Sequence, residues 1–582
     1  MSATEMEGQC SCNNQHSGKD RREFLKNISL GGALLTGVPQ IASAFQRKDD
    51  WSTISNSSKA LSMGKAQKIT LLHTADIHAQ LYTHDEFFLE NNKAVYKKRG
   101  GFAVLKTMLD DLRRKNPTNT LLIDGGDCFQ GGGVAALSEG RAIVPLINHI
   151  DYDLVLPGNW EVVYGKEMME RDLGGYTAQK ICANMFHDTN AANHGELIFH
   201  PWYVQHFGNT KIGFIGYNDP LTPKRQSPAY SKGIKFTKPE VNIQRYIKHL
   251  RDIEQCNLVF LVTHMGLAQQ VDLGNMPYVE GIDFILGADT HERVRTPIQT
   301  KYTKVTEPGA FGSFVSKLEL IVEGGKLKDA HYELLDVDPE KYHPDPEMLR
   351  KVEDARKPYA EEMDTVIGKT KTTLVRYFVL ENPIDNLITD AIYWKYKPDI
   401  ALSNGFRFCP PLVVDQKKGV AELTNEFLWN MLPVNSDAKG GEITGKQLWD
   451  WLEKELNNVF AKNPGQRFGG WVVRFAGMQI NFTAYNDMGK RLNWVKIKGE
   501  NIELTKKYSI VACEREGDPD DTLCRIEKVS SAHKLGDTLH NIMREYLKEH
   551  PLVAPKVEGR VTATDVPEDL LSQLEGYDYQ FR

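Results

Sequence analysis

Along the first half of the chain, short hydrophobic runs recur, and each closes on polar residues flanked by glycine or another small residue. Ile69-Thr70-Leu71-Leu72-His73 leads into Thr74-Ala75-Asp76-Ile77-His78, and Thr120-Leu121-Leu122-Ile123 into Asp124-Gly125-Gly126-Asp127. Tyr152–Leu156 leads into Pro157-Gly158-Asn159-Trp160-Glu161, Asn257–Val262 into Thr263-His264-Met265-Gly266, and Ile282–Leu286 into Gly287-Ala288-Asp289-Thr290-His291-Glu292. Runs of this length bounded by turn formers predict buried strands. After the first strand, Phe102, Leu105, Met108, Leu109 and Leu112 fall on one face of a helix over residues 100–114. Strands alternating with helices predict an α/β domain, with its chemistry gathered at the strands' C-terminal ends.

The second half changes character. Pro344 to Glu362 is charged and predicts a connecting helix with Met348, Val352 and Tyr359 on its inner face. From Val366 onward, a helix over 382–391 precedes the strand 399–403 and the turn Asn404-Gly405-Phe406-Arg407. Further strands around 472–475, 480–482 and 509–511 suit a mixed α+β domain.

At 582 residues the chain is too long for one core and calls for two domains plus tails. Its 41% hydrophobic and 25% charged residues are those of an ordinary globular chain. A net charge of -6 gives no overall basic surface of the kind nucleic acid would require. Eight cysteines are too few for a disulfide scaffold; Cys513 and Cys524 bracket an acidic loop and leave a disulfide open, while Cys128 reads as a buried inert thiol. Asp20-Arg21-Arg22-Glu23-Phe24-Leu25-Lys26, the modestly apolar 28–38 and Ala42-Ser43-Ala44 resemble a twin-arginine export signal over 1–44, which implies a periplasmic protein. Residues 45–67 read as a flexible linker, and no other segment is long and apolar enough to span a membrane.

One Asp-x-His pair means little, but five strand ends carrying Asp, Asn or His point to a shared metal site. The order resembles the calcineurin-like metallophosphoesterases, whose pattern runs D-x-H, G-D, G-N-H-[DE], H and G-H-x-H, and more closely their 5'-nucleotidase branch. The resemblance implies an α/β fold, a four-layer α/β/β/α sandwich over 68–337, joined through a connecting helix (338–365) to an α+β 5'-nucleotidase C-terminal domain (366–560), with a tail at 561–582. By position, it implies that Asp76, His78 and His291 hold one divalent ion and Asn159, His264 and Asp289 the other, with Asp127 bridging them. Such a pair activates a bridging hydroxide against a tetrahedral group. Asp127, Asn159 and Arg407 would be the catalytic residues. Two departures from the pattern stand out: Trp160 replaces the histidine, and Asp289 replaces an imidazole. The carboxylate favours manganese, with zinc or iron as other fits for this donor set.

The C-terminal half bears on the substrate. The family's nucleotide-hydrolysing members clamp the base between two aromatics. Here Gly470-Trp471-Val472-Val473-Arg474 places Val472 near the first position, and Ala512–Asp521 carries no aromatic at the second. Several stretches instead resemble the thiosulfohydrolase of the bacterial sulfur-oxidising (Sox) system: His78-Ala79-Gln80-Leu81, Trp160-Glu161 with Tyr164-Gly165, Gly469–Arg474 and Met488–Leu492. That resemblance implies a small anionic substrate or a sulfur-carrier protein as partner. A sulfur leaving group also needs less protonation than an alkoxide, which suits Trp160. Arg407, Arg474 and Arg515 form a candidate anion cradle. The alternatives are a nucleotide phosphohydrolase and a metal-binding protein without turnover.

Overall fold

In the computed structural model the described residues are 66–403, 409–571, 574 and 577. The export-like segment, the linker up to residue 65 and Arg407 lie outside them. The first domain contains two six-stranded sheets. One runs Lys326–Asp336, Phe314–Glu323, Gln67–Thr74, Thr120–Asp124, Leu154–Val155, Gln179–Lys180. The other runs Ile298–Gln299, Lys304–Thr306, Phe284–Leu286, Leu258–His264, Thr210–Asn218, Trp202–Phe207. In each sheet the strands that carry site residues are parallel, so their C-terminal ends emerge on one edge.

Period-two alternation explains the layering. Ile212, Phe214, Leu258, Phe260, Val262, Phe284 and Leu286 share one core with Leu71, Leu122 and the helices Phe102–Lys115 and Val144–Ile150. Their strand neighbours Ile215, Tyr217, Val259, Leu261 and Ile285 pack with the helices Ile243–Lys248 and Leu267–Gly274. The rings of Phe214, Phe260 and Phe284 stack across the second sheet at 5.6 and 5.5 Å, and burying each contributes about 2 kcal/mol. The result is the expected α/β/β/α sandwich.

The connection is a helix over Pro346–Arg356, capped by the Asp345 side chain on Met348 N, with Met348 and Val352 buried. It does not run unbroken to Glu362: Pro358 lies in a 3₁₀ turn over Lys357–Tyr359 before a short helix resumes, because proline lacks the N–H that continues a helix. The second domain has a five-stranded sheet ordered Arg474–Ala476, Ile400–Ser403, Lys507–Cys513, Asp437–Thr444, Ser530–Thr538. The helix Gly445–Phe460 starts from a Thr444/Gln447 capping box and buries Leu448, Leu452, Leu456 and Val459. A four-stranded sheet includes Val561–Ala563 paired with Ile480–Phe482, so strand structure continues past the expected boundary at 560.

One feature is not evident from the hydrophobic pattern. A hairpin, His84–Glu90 and Lys93–Arg99, turns through Asn91 and Asn92, both left-handed, and reaches the second domain. Its buried Glu86 accepts from Arg293 Nη2 (2.7 Å), Ser313 Oγ (2.9 Å) and the Tyr377 hydroxyl. No helix among the described residues is long and apolar enough to cross a membrane.

Candidate metal centre

Five loops build the centre, and their backbones show what that placement requires. Asp76, His78, Asp127, Asp289 and His291 all have positive φ, between 51° and 96°. Asp and His are among the non-glycine residues that tolerate this region best, and surrounding bonds hold them there. Those bonds lace the loops together: Asp76 N to Gly126 O (2.9 Å), His78 N to Asp127 O (2.9 Å), Phe311 N to Asp76 O (2.8 Å) and Asp289 N to Asp76 Oδ2 (3.1 Å). Glycine is needed at 158, where an added Cβ would lie 2.1 Å from Asp127 Oδ1 and 2.4 Å from Asp127 N. Glu161 ties two loops into one unit by accepting the N–H groups of Gly158 (2.6 Å), Asp127 (2.9 Å) and Cys128 (2.7 Å).

Two sets of side chains converge, and both contain Asp76: one with His78 and His291, the other with Asp127 and His264. Asp76 Oδ1 lies 3.9, 3.6 and 3.8 Å from Nε2 of His78, His291 and His264. Asp127 Oδ2 lies 3.0 Å from His264 Nε2 and 3.9 Å from His78 Nε2. Backbone carbonyls orient two of the rings: His78 Nδ1 meets Gln130 O and His264 Nδ1 meets Gly125 O, each at 2.7 Å, which turns Nε2 inward. Beside the second set, Asn159 Nδ2 donates to Asp289 Oδ1, which is 3.7 Å from His264 Nε2.

These donors suit divalent cations. Asp76 Oδ1 is buried and makes no hydrogen bond among the described residues, and the Nε2 atoms of His78 and His291 face each other at 3.0 Å. Burial holds the Asp76 carboxyl well above the usual range, and burial together with His291 holds His78 well below its own. Burial would lower His264 too, but Asp127 and Asp76 outweigh it and hold it well above the imidazole range. Cations at the two sets would stabilise ionised carboxylates and neutral imidazoles together.

The structure brings Asp76, His78, Asp127, His264 and His291 into these two sets and puts Asn159 and Asp289 beside the second; of the candidate arginines it describes, one lies away from the centre and one beside it. Arg474 is buried in the second domain, its guanidinium 3.1 Å from Asp385 and donating to the carbonyls of Phe378, Val379 and Leu380; it lines neither cavity at the centre. Arg515 lines the smaller cavity and donates to Lys224 O (2.8 Å) and Gln226 O in the first domain. Cys513 and Cys524 are not joined in a disulfide, and the buried Cys128 donates to Asp124 Oδ1 at 2.8 Å.

Two cavities adjoin the centre, of about 120 and 60 Å³, and Trp160, Arg225 and Gln226 line both. Phe468, Gly469, Gly470 and Trp471 line the larger one from the second domain, together with Glu455, Asn458 and Arg525. Arg225 and Arg525 approach the Phe468 ring, each with Cζ 5.5 Å from its centroid. Neither Arg225 nor Phe468 is among the candidate residues read from the sequence. Arg225 lies in the loop after the strand Thr210–Asn218, whose closing Asn218-Asp219 is the signal that could have pointed to it, and Phe468 stands just ahead of the Gly469-Gly470 pair that does attract attention.

The comparisons agree with this architecture. Residues 69–293 match the family model for calcineurin-like phosphoesterases, and residues 366–514 match that for the 5'-nucleotidase C-terminal domain. The chain belongs to the metal-dependent hydrolases that join these two domains. It is 24% identical over 549 residues to the trifunctional nucleotide phosphoesterase protein YfkN of Bacillus subtilis, covering 86% of this chain but only 35% of YfkN. To Protein UshA of Escherichia coli it is 21% identical over 557 residues, 86% of this chain and 94% of UshA. Its fold is similar to that of the sulfate thiohydrolase SoxB of Thermus thermophilus, with TM-score 0.76, 19% identity and coverage of 88% of this chain and 99% of SoxB. A 5'-nucleotidase precursor, also from Thermus thermophilus, gives TM-score 0.74, 22% identity and coverage of 86% and 100%. At these identities the solved structures bear on the fold alone.

Proposed function

We propose that the chain is an exported hydrolase that cleaves a sulfonate from sulfur, in the manner of a thiosulfohydrolase, at a centre for two divalent ions. Asp76, His78 and His291 would hold one ion and His264, Asn159 and Asp289 the other, and Asp127 would be a ligand shared by both. Manganese is favoured because a carboxylate at 289 hardens the donor set. When bound, such a pair supplies Lewis acidity toward the oxygens of a tetrahedral group and lowers the pKa of water.

The observation that carries this reading is Trp160, which follows Asn159 and lines both cavities. An indole exchanges no proton near neutral pH, so position 160 cannot protonate a leaving group. A thiolate, from a thiol of pKa about 8.5, departs unprotonated far more readily than an alkoxide. The second domain supports the same choice. Phe468 already has two guanidinium groups at its ring, and Ala512–Asp521 offers no second aromatic. A base clamp, in which stacking is worth about 1–3 kcal/mol per base, therefore lacks its aromatic from that loop, and the other aromatics of the larger cavity are Trp160 and Trp471. The substrate is then a small S-sulfonate or one carried on a protein cysteine.

The manganese-loaded protein is to be assayed on S-sulfocysteine, an S-sulfonated cysteine peptide, AMP and a UDP-sugar. Turnover of the S-sulfonates with release of sulfate is expected, and rapid AMP hydrolysis at micromolar KM would overturn it. A nucleotide substrate is the second reading, favoured by sequence relatives such as YfkN, whose name is that of a nucleotide phosphoesterase. Export through the twin-arginine pathway rests on Arg21-Arg22 and the apolar stretch after them; an Arg21→Lys/Arg22→Lys variant should stay in the cytoplasm.

A further inference from the structure

Between the metal centre and the second domain lies a short segment in the loop after the strand Thr210–Asn218, a strand end that supplies none of the assigned ligands. Thr222–Arg225 is a single helical turn, and the residues after it are fastened on both sides. Gln226 Nε2 donates to Asn159 Oδ1 at 2.7 Å, Lys224 O and Gln226 O accept from Arg515, and Ala229 N donates to Glu516 O at 3.1 Å. Arg225 is held at the middle of this bracket. Its Nη1 donates to Asp289 Oδ2 at 2.5 Å, and its Nε lies 3.2 Å from Asp219 Oδ2. Its side chain is 15% exposed.

Asp289 takes the hydrogen bond from Nη1, Asp219 is an ion-pair neighbour of Nε without a hydrogen bond, and Nη2 makes no hydrogen bond among the described residues. Arg225 lines both cavities, so its guanidinium is among the groups a ligand there would meet. The other arginine of the larger cavity, Arg525, is committed to Glu455 through two bonds, of 3.2 and 2.6 Å. Trp160, which lines both cavities, contributes no charge. Arg225 is therefore the cation placed next to the ligand cluster with a donor to spare, and a planar guanidinium matches the oxygens of a tetrahedral anion.

We propose that Arg225 is a substrate-contacting residue, its Nη2 donating to a non-bridging oxygen of the tetrahedral oxyanion, phosphate or sulfonate, held at the centre. This rests on the two-ion hydrolase reading above. Asp219 and Asp289 aim the guanidinium, and the Gln226–Asn159 bond fixes its distance from the ligand loops. Asp289 thus serves both sides, offering Oδ1 toward His264 and Oδ2 to Arg225.

The test compares wild type with Arg225→Lys and Arg225→Ala in the full chain. It measures manganese bound per chain, the dissociation constants of inorganic phosphate and sulfate for the loaded protein, and kcat/KM on p-nitrophenyl phosphate and S-sulfocysteine. Arg225→Ala should keep both ions, bind the preferred anion at least about 30-fold more weakly and lose about 100-fold in kcat/KM. Added guanidinium ion should restore part of that loss, and Arg225→Lys should fall in between. Anion affinity and kcat/KM within about threefold of wild type, well short of what a lost oxyanion donor costs, would overturn the proposal. Loss of ions in step with loss of anion binding would overturn it too, by reducing Arg225 to a counter-charge for Asp289. If wild type itself binds fewer than two ions, the two-ion reading fails; if wild type binds ions and anion but the variants match it, only the role of Arg225 fails.

Discussion

Changing Glu86 to Gln tests how the two domains are held in register over the centre. Glu86 sits on the inserted hairpin, 1% exposed, and accepts from Arg293, Ser313, Phe87 N and the Tyr377 hydroxyl of the second domain. Burial alone would raise its carboxyl, but Arg293, then His84 and Tyr377, outweigh burial and hold it at about 2 against an ordinary 4.5. A carboxyl depressed on folding adds stability above its unfolded pKa and loses it as pH falls toward the folded value. The gap corresponds to about 3 kcal/mol at neutral pH, of which about 2 kcal/mol disappears between about pH 5 and about pH 3. Glu86→Gln removes this contribution by stripping the buried Arg293 of its counter-charge, which is the main source of the depressed value. The assay is urea unfolding followed by tryptophan fluorescence, for wild type and variant, from about pH 7 to about pH 3, a range that spans the titration. The variant should be less stable by about 3 kcal/mol at the neutral end, and the difference should narrow to about 1 kcal/mol at the acid end. No difference at neutral pH, or one that stays constant with pH, would refute the assigned network.

Three further outcomes follow from the centre. Asp127→Ala removes the carboxylate nearest His264 and should abolish ion binding and hydrolysis together while calorimetry still shows a folded protein; retained activity would sink the site. Glu161→Gln keeps the shape but trades an acceptor oxygen for a donor where three N–H groups converge, and metal affinity measured by titration should fall about 10–100-fold. Gly158→Ala forces a Cβ against the Asp127 backbone. It should lower the thermal midpoint and lose the ion at the Asp127–His264 set, while Gly174→Ala, where a Cβ meets nothing within 4 Å, should bind ions normally.

What the sequence made legible was local. Each ligand follows a hydrophobic run that is itself a strand, so Asp76, Asp127, Asn159, His264 and His291 could be placed at strand ends before any contact was known. Arg225 pairs with Asp289 across 64 residues and Tyr377 with Glu86 across 291, and no periodicity signals such partners. Arg474 shows the converse. It was a candidate for the anion cradle, yet the sheet turns it inward onto Asp385 and three backbone carbonyls. The hairpin did leave a trace in the paired Asn91-Asn92, whose residue type tolerates the left-handed turn. The unexpected break near Pro358 follows from the missing N–H.

The most direct test of the two-ion centre is calorimetric titration of manganese into metal-free protein, with hydrolysis of S-sulfocysteine and AMP followed at each added equivalent. Two ions per chain are expected, with turnover rising only as the second is bound and both lost in Asp127→Ala. A single ion or none, with no hydrolysis of either substrate after manganese or zinc is supplied, would contradict it.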